Sequence, residues 1–354
     1  MTAYSLSYWQ EKASNLIIEG RAFINGEYVN AEDGDTFLNV SPIDGRELAN
    51  IAHTKSTDVD KAVVIARSAF NQGDWSKAAP AYRKVVMQKF ADLIEKNKEE
   101  IALLETLDMG KPISDAMNVD IAGALRAIRW SAEAADKIYD EVAPTPDGEL
   151  GLVTKEAVGV VAAIVPWNFP LVMASWKIAP ALTAGNSVIL KPSEKSPLTA
   201  IKIAALAKEA GIPDGVFNVL PGFGQTVGKA LALHMDIDTL VFTGSTAVAK
   251  QLMVYAGESN MKRVWTEAGG KSPNIVFADA ENLEHAAIAA AGAICFNQGE
   301  VCTAGSRLLV ESSIKDEFVK LVAEAISHWV PGNPLDPKTN VGAIVDQAQY
   351  EQVL

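Results

Sequence analysis

One thiol and one carboxylate in this sequence have neighbours that suit covalent chemistry. Cys302 lies among small and amide residues (296–306), where a packed core would place bulky side chains. Glu267, about 35 residues earlier, is followed by Gly269 and Gly270, which allow close approach of the backbone. A thiol can attack an electrophilic carbon, and a carboxylate that activates water can release the covalent intermediate. Taken alone, Cys302 could also be a buried packing residue, and Glu267 a surface charge or a helix cap.

Alternating apolar segments from residue 158 onward predict the elements that would position these groups. The pattern predicts strands at 158–165, 187–190, 216–220 and 239–242, and helices at 176–183, 198–210 and 227–233. Strands that alternate with helices predict an α/β fold with a Rossmann-like, doubly wound parallel sheet. Ligands of such sheets bind at the carboxyl ends of the strands. Polar segments follow the predicted strand ends at Pro166, Lys191 and Thr243, so we expect the site there.

The flanking segments add a hairpin and a second α/β region. Residues 23–29 alternate around an Asn-Gly pair, which is typical of a β-hairpin, and residues 56–58 offer helix caps. Apolar positions at helical spacing predict one or two long helices over 81–107. From residue 265 the pattern predicts strands at 273–278 and 306–310, helices at 283–296 and 313–329, and a loop at 331–339. We find no Gly/Ser-rich linker, so we expect the two regions to be in close contact.

The overall composition excludes several classes of function. The 354 residues carry a formal net charge of −13, which argues against binding to nucleic acid or to an anionic membrane surface. The first residues show no signal peptide, and the longest apolar run, 286–296, is too short to span a bilayer. The two cysteines, Cys295 and Cys302, are too few for a disulfide framework and fit no zinc pattern. We therefore expect a cytoplasmic protein without a metal, in which Cys295 serves packing.

The segments around Cys302 and Glu267 resemble the two signature motifs of the aldehyde dehydrogenase superfamily. The resemblance runs from about residue 20 to the end of the chain. It implies oxidation of an aldehyde to its acid with NAD(P)+: the Cys302 thiolate forms a thiohemiacetal, loss of hydride to the nicotinamide gives a thioester, and water activated by Glu267 hydrolyses it. It also implies an NAD(P)-binding domain at 1–264, with an oligomerisation strand near 139–157, and a catalytic domain at 265–354.

Two further residues gain catalytic roles from the resemblance. Asn168 would donate a side-chain N–H group to the developing oxyanion, together with the backbone N–H of Cys302. Its plain alternative is an Asx turn before Phe169 and Pro170. Lys177 would belong to the proton relay that serves the base, or else it is an ordinary charge on a helix surface.

The resemblance also implies the cofactor-binding segments. Lys191 and Glu194 would hydrogen-bond the adenosine ribose, and the Glu194 carboxylate should repel a 2′-phosphate, which favours NAD although NADP is possible. The helix N-terminus at Gly244 would bind the pyrophosphate, because its N–H groups and dipole favour anions. The implied set is Ile164, Pro166, Trp167, Lys191, Ser193, Glu194, Gly224, Gly228, Phe242, Thr243, Gly244, Ser245, Val248, Ala268 and Gly269.

Within the family, the chain most resembles the γ-glutamyl-γ-aminobutyraldehyde dehydrogenases of bacterial putrescine catabolism. The resemblance rests on the segments at 126–130, 192–197 and 260–268. It implies an aminoaldehyde substrate. We expect Glu300 to be a solvated residue at the mouth of the pocket, or else a group that favours a cationic aminoaldehyde. The implied pocket walls are Phe169, Met173, Trp176, Val301 and Thr303.

Two alternatives and one expectation about chain length accompany this interpretation. Members of the family continue beyond the last residue of this sequence, and their continuation includes a glutamate that holds the nicotinamide ribose, so we expect the chain to be C-terminally incomplete. It could then be a cofactor-binding fragment without turnover. A CoA-acylating relative is the second alternative, although such an enzyme would not need Glu267 to activate water. The expected partner is a small-molecule aldehyde, with no nucleic acid and no membrane, and the expected full-length form is a homodimer or homotetramer.

Overall fold

The computed structural model describes residues 4–354, in which the strands form one large sheet and three two-stranded sheets. In chain order the strands are β1 (Ala22–Ile24), β2 (Glu27–Val29), β3 (Thr36–Val40), β4 (Glu47–Ala52), β5 (Glu141–Ala143), β6 (Gly151–Val153), β7 (Val160–Ile164), β8 (Ser187–Lys191), β9 (Phe217–Val219), β10 (Thr239–Gly244), β11 (Arg263–Ala268), β12 (Pro273–Val276) and β13 (Arg307–Val310).

Helices pack around these sheets and account for most of the remaining regular structure. In chain order they are α1 (Leu6–Ser14), α2 (Ser56–Gln72), α3 (Pro80–Lys96), α4 (Lys98–Met109), α5 (Ile113–Asp115), α6 (Ile121–Ala134), α7 (Pro170–Thr183), α8 (Leu198–Ala210), α9 (Lys229–Leu233), α10 (Thr246–Gly257), α11 (Leu283–Cys295), α12 (Lys315–Ile326) and α13 (Gln347–Val353). Two π-helical segments occupy Ala116–Asp120 and Gly224–Gly228, and a 3₁₀ segment occupies Phe296–Gly299.

The large sheet confirms the predicted Rossmann-like α/β fold. Its strand order is β11-β10-β7-β8-β9-β1-β2, with β7 to β11 parallel and the antiparallel hairpin β1–β2 at one edge. Alternate residues of β7 point to opposite faces: Val161 and Ala163 belong to one buried apolar cluster, and Val160 and Ala162 to another. Because both faces of the sheet are buried, the carboxyl ends of the parallel strands are the natural place for a ligand site.

Several predicted elements are present with different ends. The segment 81–107 forms two helices, α3 and α4, which meet at Asn97. Helix α7 begins at Pro170 rather than at Trp176, because proline suits the first helical position, where its missing N–H is not needed. The predicted cap at 56–58 lies one residue earlier, where the Asp58 carboxylate accepts the backbone N–H of Lys55 at 2.9 Å.

The second region consists of the parallel pair β12–β13 with helices α11 and α12, packed around the buried Phe318. Strand β11 pairs with β10 as far as Ala268 and so belongs to the large sheet. The predicted boundary at 264/265 therefore falls within a strand, and the division into two domains stays a prediction. Residues 139–157 contain the antiparallel hairpin β5–β6, which pairs with no other strand among residues 4–354. Across the described residues, every helix is too short or too polar to span a membrane.

Candidate active site

A cleft of about 350 Å³ lies where the loops after β7, β10 and β11 meet the loop that carries Cys302. This is the carboxyl edge of the large sheet, the position that the strand pattern predicts. The residues that line it are Pro166, Trp167, Asn168, Phe169, Met173, Thr243, Gly244, Ser245, Gly269, Gly270, Lys271, Gly299, Glu300, Val301, Cys302, Gln349 and Gln352.

The loop before Cys302 has an unusual backbone. Asn297, Gln298 and Gly299 all have positive φ values, of 49°, 59° and 77°, and the first two are non-glycine residues for which this region is sparsely populated. Two side chains anchor the turn. Asn297 Nδ2 donates to the carbonyl oxygen of Asn168 at 3.2 Å, and the backbone N–H of Gly342 donates to Gln298 Oε1 at 3.0 Å. The strained turn is thus held by side chains of its own residues and presents Cys302 at the cleft.

Cys302 itself is a free, exposed thiol beside the segment that follows Glu267. A Cβ atom placed on Gly270 would lie 3.7 Å from the carbonyl oxygen of Cys302. Asn168 reaches the same loop from the end of β7: its Nδ2 atom donates to the carbonyl oxygen of Glu300 at 2.6 Å. Because the amide nitrogen carries two N–H groups, this bond orients Asn168 and leaves a second donor for a ligand oxygen. The structure therefore brings Asn168 and Cys302 together.

Glu267 lies at the end of β11, opposite Thr243 of β10 in the parallel register. Its side chain is exposed and borders the cleft without lining it. Lys177 is half-buried on α7. Burial lowers the pKa of Lys177, and the negative charge of Glu267 opposes that shift. The two side chains are thus electrostatic neighbours, as the resemblance implies for a base and its relay partner.

Glu300 differs from the sequence-based expectation. Instead of lying at a solvated mouth, the residue is only 5% exposed, and its Oε1 atom accepts the backbone N–H of Val345 at 3.2 Å. Burial raises the pKa of Glu300 to about 7. The carboxyl group turns inward because the segment around Val345 packs over the loop and needs an acceptor there. Glu300 therefore lines the cleft as a buried carboxyl group with one oxygen bound to the backbone, rather than as a solvated residue at its mouth.

A buried charge cluster lies behind the cleft, and the sequence analysis did not foresee it. Lys111 is fully buried, with its Nζ atom 2.6 Å from Asp120 and 3.8 Å from Glu105. The same ammonium lies 4.2 Å from the centre of the Phe169 ring. Both oxygens of Glu105 accept the backbone N–H of Leu171 at 3.3 Å, in the first turn of α7. A carboxylate within the apolar run 101–107 was the available signal, since such a group is rarely buried without a partner.

A second cleft, of about 500 Å³, lies beside the carboxyl ends of β7 and β8. Glu194 lines it. Burial acts to raise the pKa of Glu194, but the ammonium of Lys191, 3.0 Å away, a backbone N–H and the charge of Lys195 together lower it. A Cβ atom placed on Gly224 would have no neighbouring atom within 4 Å, so a side chain at this position would extend into open space. The lining residues are Ile164, Glu194, Phe223, Gly224, Gln225, Gly228, Lys229, Val248, Gln251, Leu252 and Tyr255.

The model of the aldehyde dehydrogenase family matches residues 28–354 of this sequence. The chain belongs to the aldehyde dehydrogenase family. It is accordingly an NAD(P)-dependent oxidoreductase that converts an aldehyde to the carboxylic acid. The predicted family, fold class, enzyme class and cofactor are confirmed.

Three similar proteins illustrate the relationship. The NADP/NAD-dependent aldehyde dehydrogenase PuuC of Escherichia coli (strain K12) is 58% identical over 353 residues, which cover 100% of this chain and 71% of PuuC. The P. syringae AldA indole-3-acetaldehyde dehydrogenase, solved as a cysteine-to-alanine mutant with NAD+ and IAA, is 68% identical at a TM-score of 0.98, with 99% and 70% covered. The gamma-glutamyl-gamma-aminobutyraldehyde dehydrogenase of Burkholderia cenocepacia J2315 is 58% identical at a TM-score of 0.97, with 99% and 71% covered.

In this aldehyde dehydrogenase, the predicted site residues fall into three groups. Those on the first cleft are Pro166, Trp167, Asn168, Phe169, Met173, Thr243, Gly244, Ser245, Gly269, Val301 and Cys302. Those on the second cleft are Ile164, Glu194, Gly224, Gly228 and Val248. Those that line neither cleft are the buried Lys191, Ser193 and Phe242, the half-buried Lys177, and the exposed Glu267, Ala268, Trp176 and Thr303.

Trp176 and Thr303 line neither cleft, and their role as walls of the substrate pocket stays a prediction. Trp176 lies in the middle of α7, and its side chain is 56% exposed. Thr303 lies directly after Cys302, and its side chain is exposed. Conversely, Gln349 and Gln352 of α13 line the first cleft without having been predicted, because they lie in a polar segment that carries no motif.

Proposed function

We propose that this aldehyde dehydrogenase oxidises an aminoaldehyde, such as γ-glutamyl-γ-aminobutyraldehyde, with Cys302 as the nucleophile. The observation that carries the chemistry is the presence of the Cys302 thiol and the Asn168 amide on one cleft. The substrate class is supported by the names of relatives: the Burkholderia cenocepacia protein is a gamma-glutamyl-gamma-aminobutyraldehyde dehydrogenase, and a Pseudomonas aeruginosa relative, 43% identical, is an aminoacetaldehyde dehydrogenase.

The proposed reaction begins at the Cys302 sulfur. The thiolate attacks the aldehyde carbon, and the carbonyl oxygen takes the negative charge that the Asn168 N–H and the Cys302 backbone N–H then stabilise. NAD(P)+, when bound, supplies the acceptor for the hydride that leaves this carbon. Glu267 takes a proton from water, the hydroxide adds to the thioester carbon, and the C–S bond breaks to release the acid and the thiolate. Lys177, with its pKa lowered by burial, stabilises the Glu267 carboxylate and passes on its proton.

The proposed cofactor site extends across both clefts. Glu194 and Lys191 would bind the ribose of the adenosine half, and the open space at Gly224 and Gly269 would admit the cofactor where a side chain would obstruct it. Ser245 caps α10 by accepting the N–H of Val248 at 3.3 Å, which forms the helix N-terminus that suits a pyrophosphate. The Glu194 carboxylate opposes a 2′-phosphate and favours NAD over NADP.

A second candidate substrate is an aromatic aldehyde. The P. syringae relative at 68% identity is an indole-3-acetaldehyde dehydrogenase. In this chain the first cleft has two aromatic side chains in its wall, Trp167 and Phe169, and the Phe169 ring lies 6.2 Å from that of Phe296. Such a wall suits an indole ring as well as an alkyl chain.

One experiment separates these substrates and tests the mechanism. NADH formation would be measured with γ-glutamyl-γ-aminobutyraldehyde, γ-aminobutyraldehyde and indole-3-acetaldehyde on the parent protein and on Cys302→Ala. The aminoaldehyde proposal expects the highest kcat/KM for one of the first two and no turnover by Cys302→Ala. A higher value for indole-3-acetaldehyde would replace the substrate, and turnover by Cys302→Ala would overturn the mechanism.

We also propose that the β5–β6 hairpin joins subunits in a dimer or tetramer. Apolar side chains on it are exposed, among them Val142, Leu152 and Val153, and an exposed hairpin with apolar side chains can pair with another chain. Sedimentation velocity on the parent and on Leu152→Asp tests this: the variant should lose the oligomer, and an unchanged oligomer would contradict it.

The two free thiols suit a reducing cytoplasmic compartment.

A further inference from the structure

We propose that His53 is a positioning residue for the cofactor, because it fixes Phe223 and the π-helical turn Gly224–Gly228 against the second cleft. The inference rests on the proposed assignment of that cleft to the adenosine half of NAD(P)+. His53 itself is not on the cleft, and it lies outside the strands β7 to β11 that carry the other cofactor residues. It follows β4 of the small β3–β4 hairpin.

Phe223 is the side chain through which His53 would act. It lines the second cleft and is 38% exposed there, so one side of its ring is open to a ligand. The rest of the ring packs against two aromatic neighbours. The His53 ring meets it edge to face, with the centroids 4.9 Å apart and the planes at 90°, and the Phe37 ring lies at 5.1 Å. Both neighbours come from the β3–β4 hairpin and the residue that follows it.

The His53 ring is itself fixed at both nitrogen atoms. Its Nδ1 atom lies 2.9 Å from an oxygen of Asp35, and since a carboxylate only accepts, Nδ1 carries the proton of that bond. Lys55 lies 3.0 Å from the same carboxylate and balances its charge. The Nε2 atom lies 3.4 Å from the hydroxyl of Thr226, a residue of the π-helical turn, and that hydroxyl also lies 3.1 Å from the carbonyl oxygen of Phe223. The ring therefore lies between Asp35 on one side and the π-helical turn that carries Gly224 and Gly228 on the other.

The backbone on either side of this contact is tied as well. The N–H and the hydroxyl of Thr54 both donate to the carbonyl oxygen of Pro221, at 3.1 and 2.6 Å. A Cβ atom on Gly222 would lie 3.0 Å from the carbonyl oxygen of Thr54, so the two segments are in close contact. Because residues 221–226 are fixed by 53–55, a change at His53 is transmitted to Phe223 and not absorbed by a flexible loop.

An ordinary packing role for His53 gives a different expectation. If the ring only fills space, its replacement lowers the melting temperature and leaves the affinity for NAD+ unchanged. If it positions Phe223, the affinity for NAD+ falls, while kcat at saturating NAD+ and KM for the aldehyde stay the same. In that case the effects of substitutions at His53 and at Phe223 on NAD+ affinity are not additive, because both act through the Phe223 ring.

The experiment measures the Kd of NAD+ by isothermal titration calorimetry on the full chain, with the melting temperature of each variant. His53→Phe keeps an aromatic ring and removes the contacts to Asp35 and Thr226. We expect its Kd for NAD+ to rise roughly three- to tenfold, because a displaced Phe223 ring would lose one aromatic contact with the cofactor. Phe223→Leu should weaken binding at least as much, and the double variant no more than Phe223→Leu alone. Should His53→Phe prove unfolded, Asp35→Asn removes the charged partner from Nδ1 and should give a smaller rise.

Two further variants separate the possible failures. His234→Phe is the matched control, because its ring is equally buried and lies 3.5 Å from Asp60 but is not on the cleft; its Kd should equal that of the parent. Gly224→Val should abolish binding by filling the cleft. If Gly224→Val weakens binding but His53→Phe does not, or if the double variant is additive, the positioning role is overturned and the cofactor cleft stands. If Gly224→Val binds NAD+ normally, both assignments fall.

Discussion

At the scale of single residues, Asn168 has the most direct link to the proposed chemistry. Its amide is oriented by the bond to the carbonyl oxygen of Glu300, two residues before Cys302. Asn168→Asp keeps the size of the side chain and removes both N–H donors, so we expect kcat to fall by ~10²–10³ with KM for the aldehyde little changed. Steady-state NADH formation measures this. Asn15→Asp, an equivalent change on the surface after α1, should keep parental kcat, and an Asn168→Asp enzyme with parental kcat would exclude the donor role.

Glu300 gives a second prediction at this scale, on the dependence of stability on pH. Its pKa is raised by burial to about 7, above the usual value of 4.5. The folded state therefore holds the proton more tightly than the unfolded state, and the free energy of unfolding falls as the pH rises from about 4.5 to about 7. Glu300→Gln keeps an acceptor for the N–H of Val345 and cannot ionise. We expect it to be more stable than the parent at pH 8, by on the order of 2 kcal/mol, with little difference at pH 4.5.

Urea unfolding at several pH values measures the Glu300 effect. Other buried carboxyl groups, such as Asp108, whose pKa burial raises to about 8, contribute to the same decline in stability. Because they are present in both proteins, the difference between parent and variant isolates Glu300. A constant difference across the pH range would show that the Glu300 carboxyl does not titrate differently in the folded state.

At the scale of elements, the start of α7 depends on charge that α4 and the neighbouring π-helix supply. Phe169, which precedes the helix, offers no side-chain cap, and Glu105 of α4 accepts the N–H of Leu171 instead. Lys111 balances the charge of Asp120, 2.6 Å away, while burial and the neighbouring charge of Asp120 raise the pKa of Glu105. The π-helical segment Ala116–Asp120 ends at Asp120, an irregularity of the type that often occurs near functional sites. The wall of the active-site cleft is therefore supported by a charged cluster rather than by apolar packing alone.

This arrangement predicts the cost of removing the buried cation. Lys111→Met leaves two carboxyl groups buried without a counter-charge, so we expect a loss of about 3–5 kcal/mol in the free energy of unfolding. Adding Glu105→Gln and Asp120→Asn should recover most of the loss. Lys84→Met, which breaks an exposed ion pair with Glu133, should cost less than about 1 kcal/mol. Urea denaturation compares the variants, and equal losses for Lys111→Met and Lys84→Met would mean that the cluster does not bear on stability.

At the scale of the whole molecule, the sequence predicts the positions that depend on local pattern and misses those that depend on distant contacts. The apolar runs of β7, β8 and β10 located the strand ends, and with them Asn168, Glu194 and Thr243. The inward turn of Glu300 could not be predicted, because its acceptor role is set by Val345, 45 positions later in the chain. The same applies to the Lys111 cluster and to Gln349 and Gln352, which reach the cleft only through the packing of complete elements.

The β12–β13 strand pair of the second region has exposed apolar side chains that bear on self-association of the chain. Within residues 4–354, β12 and β13 pair only with each other, and Ile275 lies opposite Leu309 in their register. Both side chains are about half exposed, at 55% and 48%, and the nearby Phe277 is 62% exposed. An exposed apolar pair of strands with open edges is a site for association between chains. We therefore expect the 354-residue chain to self-associate through this surface.

Light scattering over a concentration series tests the association. The mean mass of the parent should rise with concentration, and the double variant Ile275→Lys/Leu309→Lys should reduce the rise, because two ammonium groups on this face would lose their hydration if an apolar strand packed against them. Val64→Lys changes an equally exposed side chain on α2 and serves as the matched control, with the parental rise expected. A parent whose mass stays that of a folded monomer at every concentration would contradict the prediction, and an equal reduction by Val64→Lys would assign the effect to net charge rather than to the β12–β13 surface.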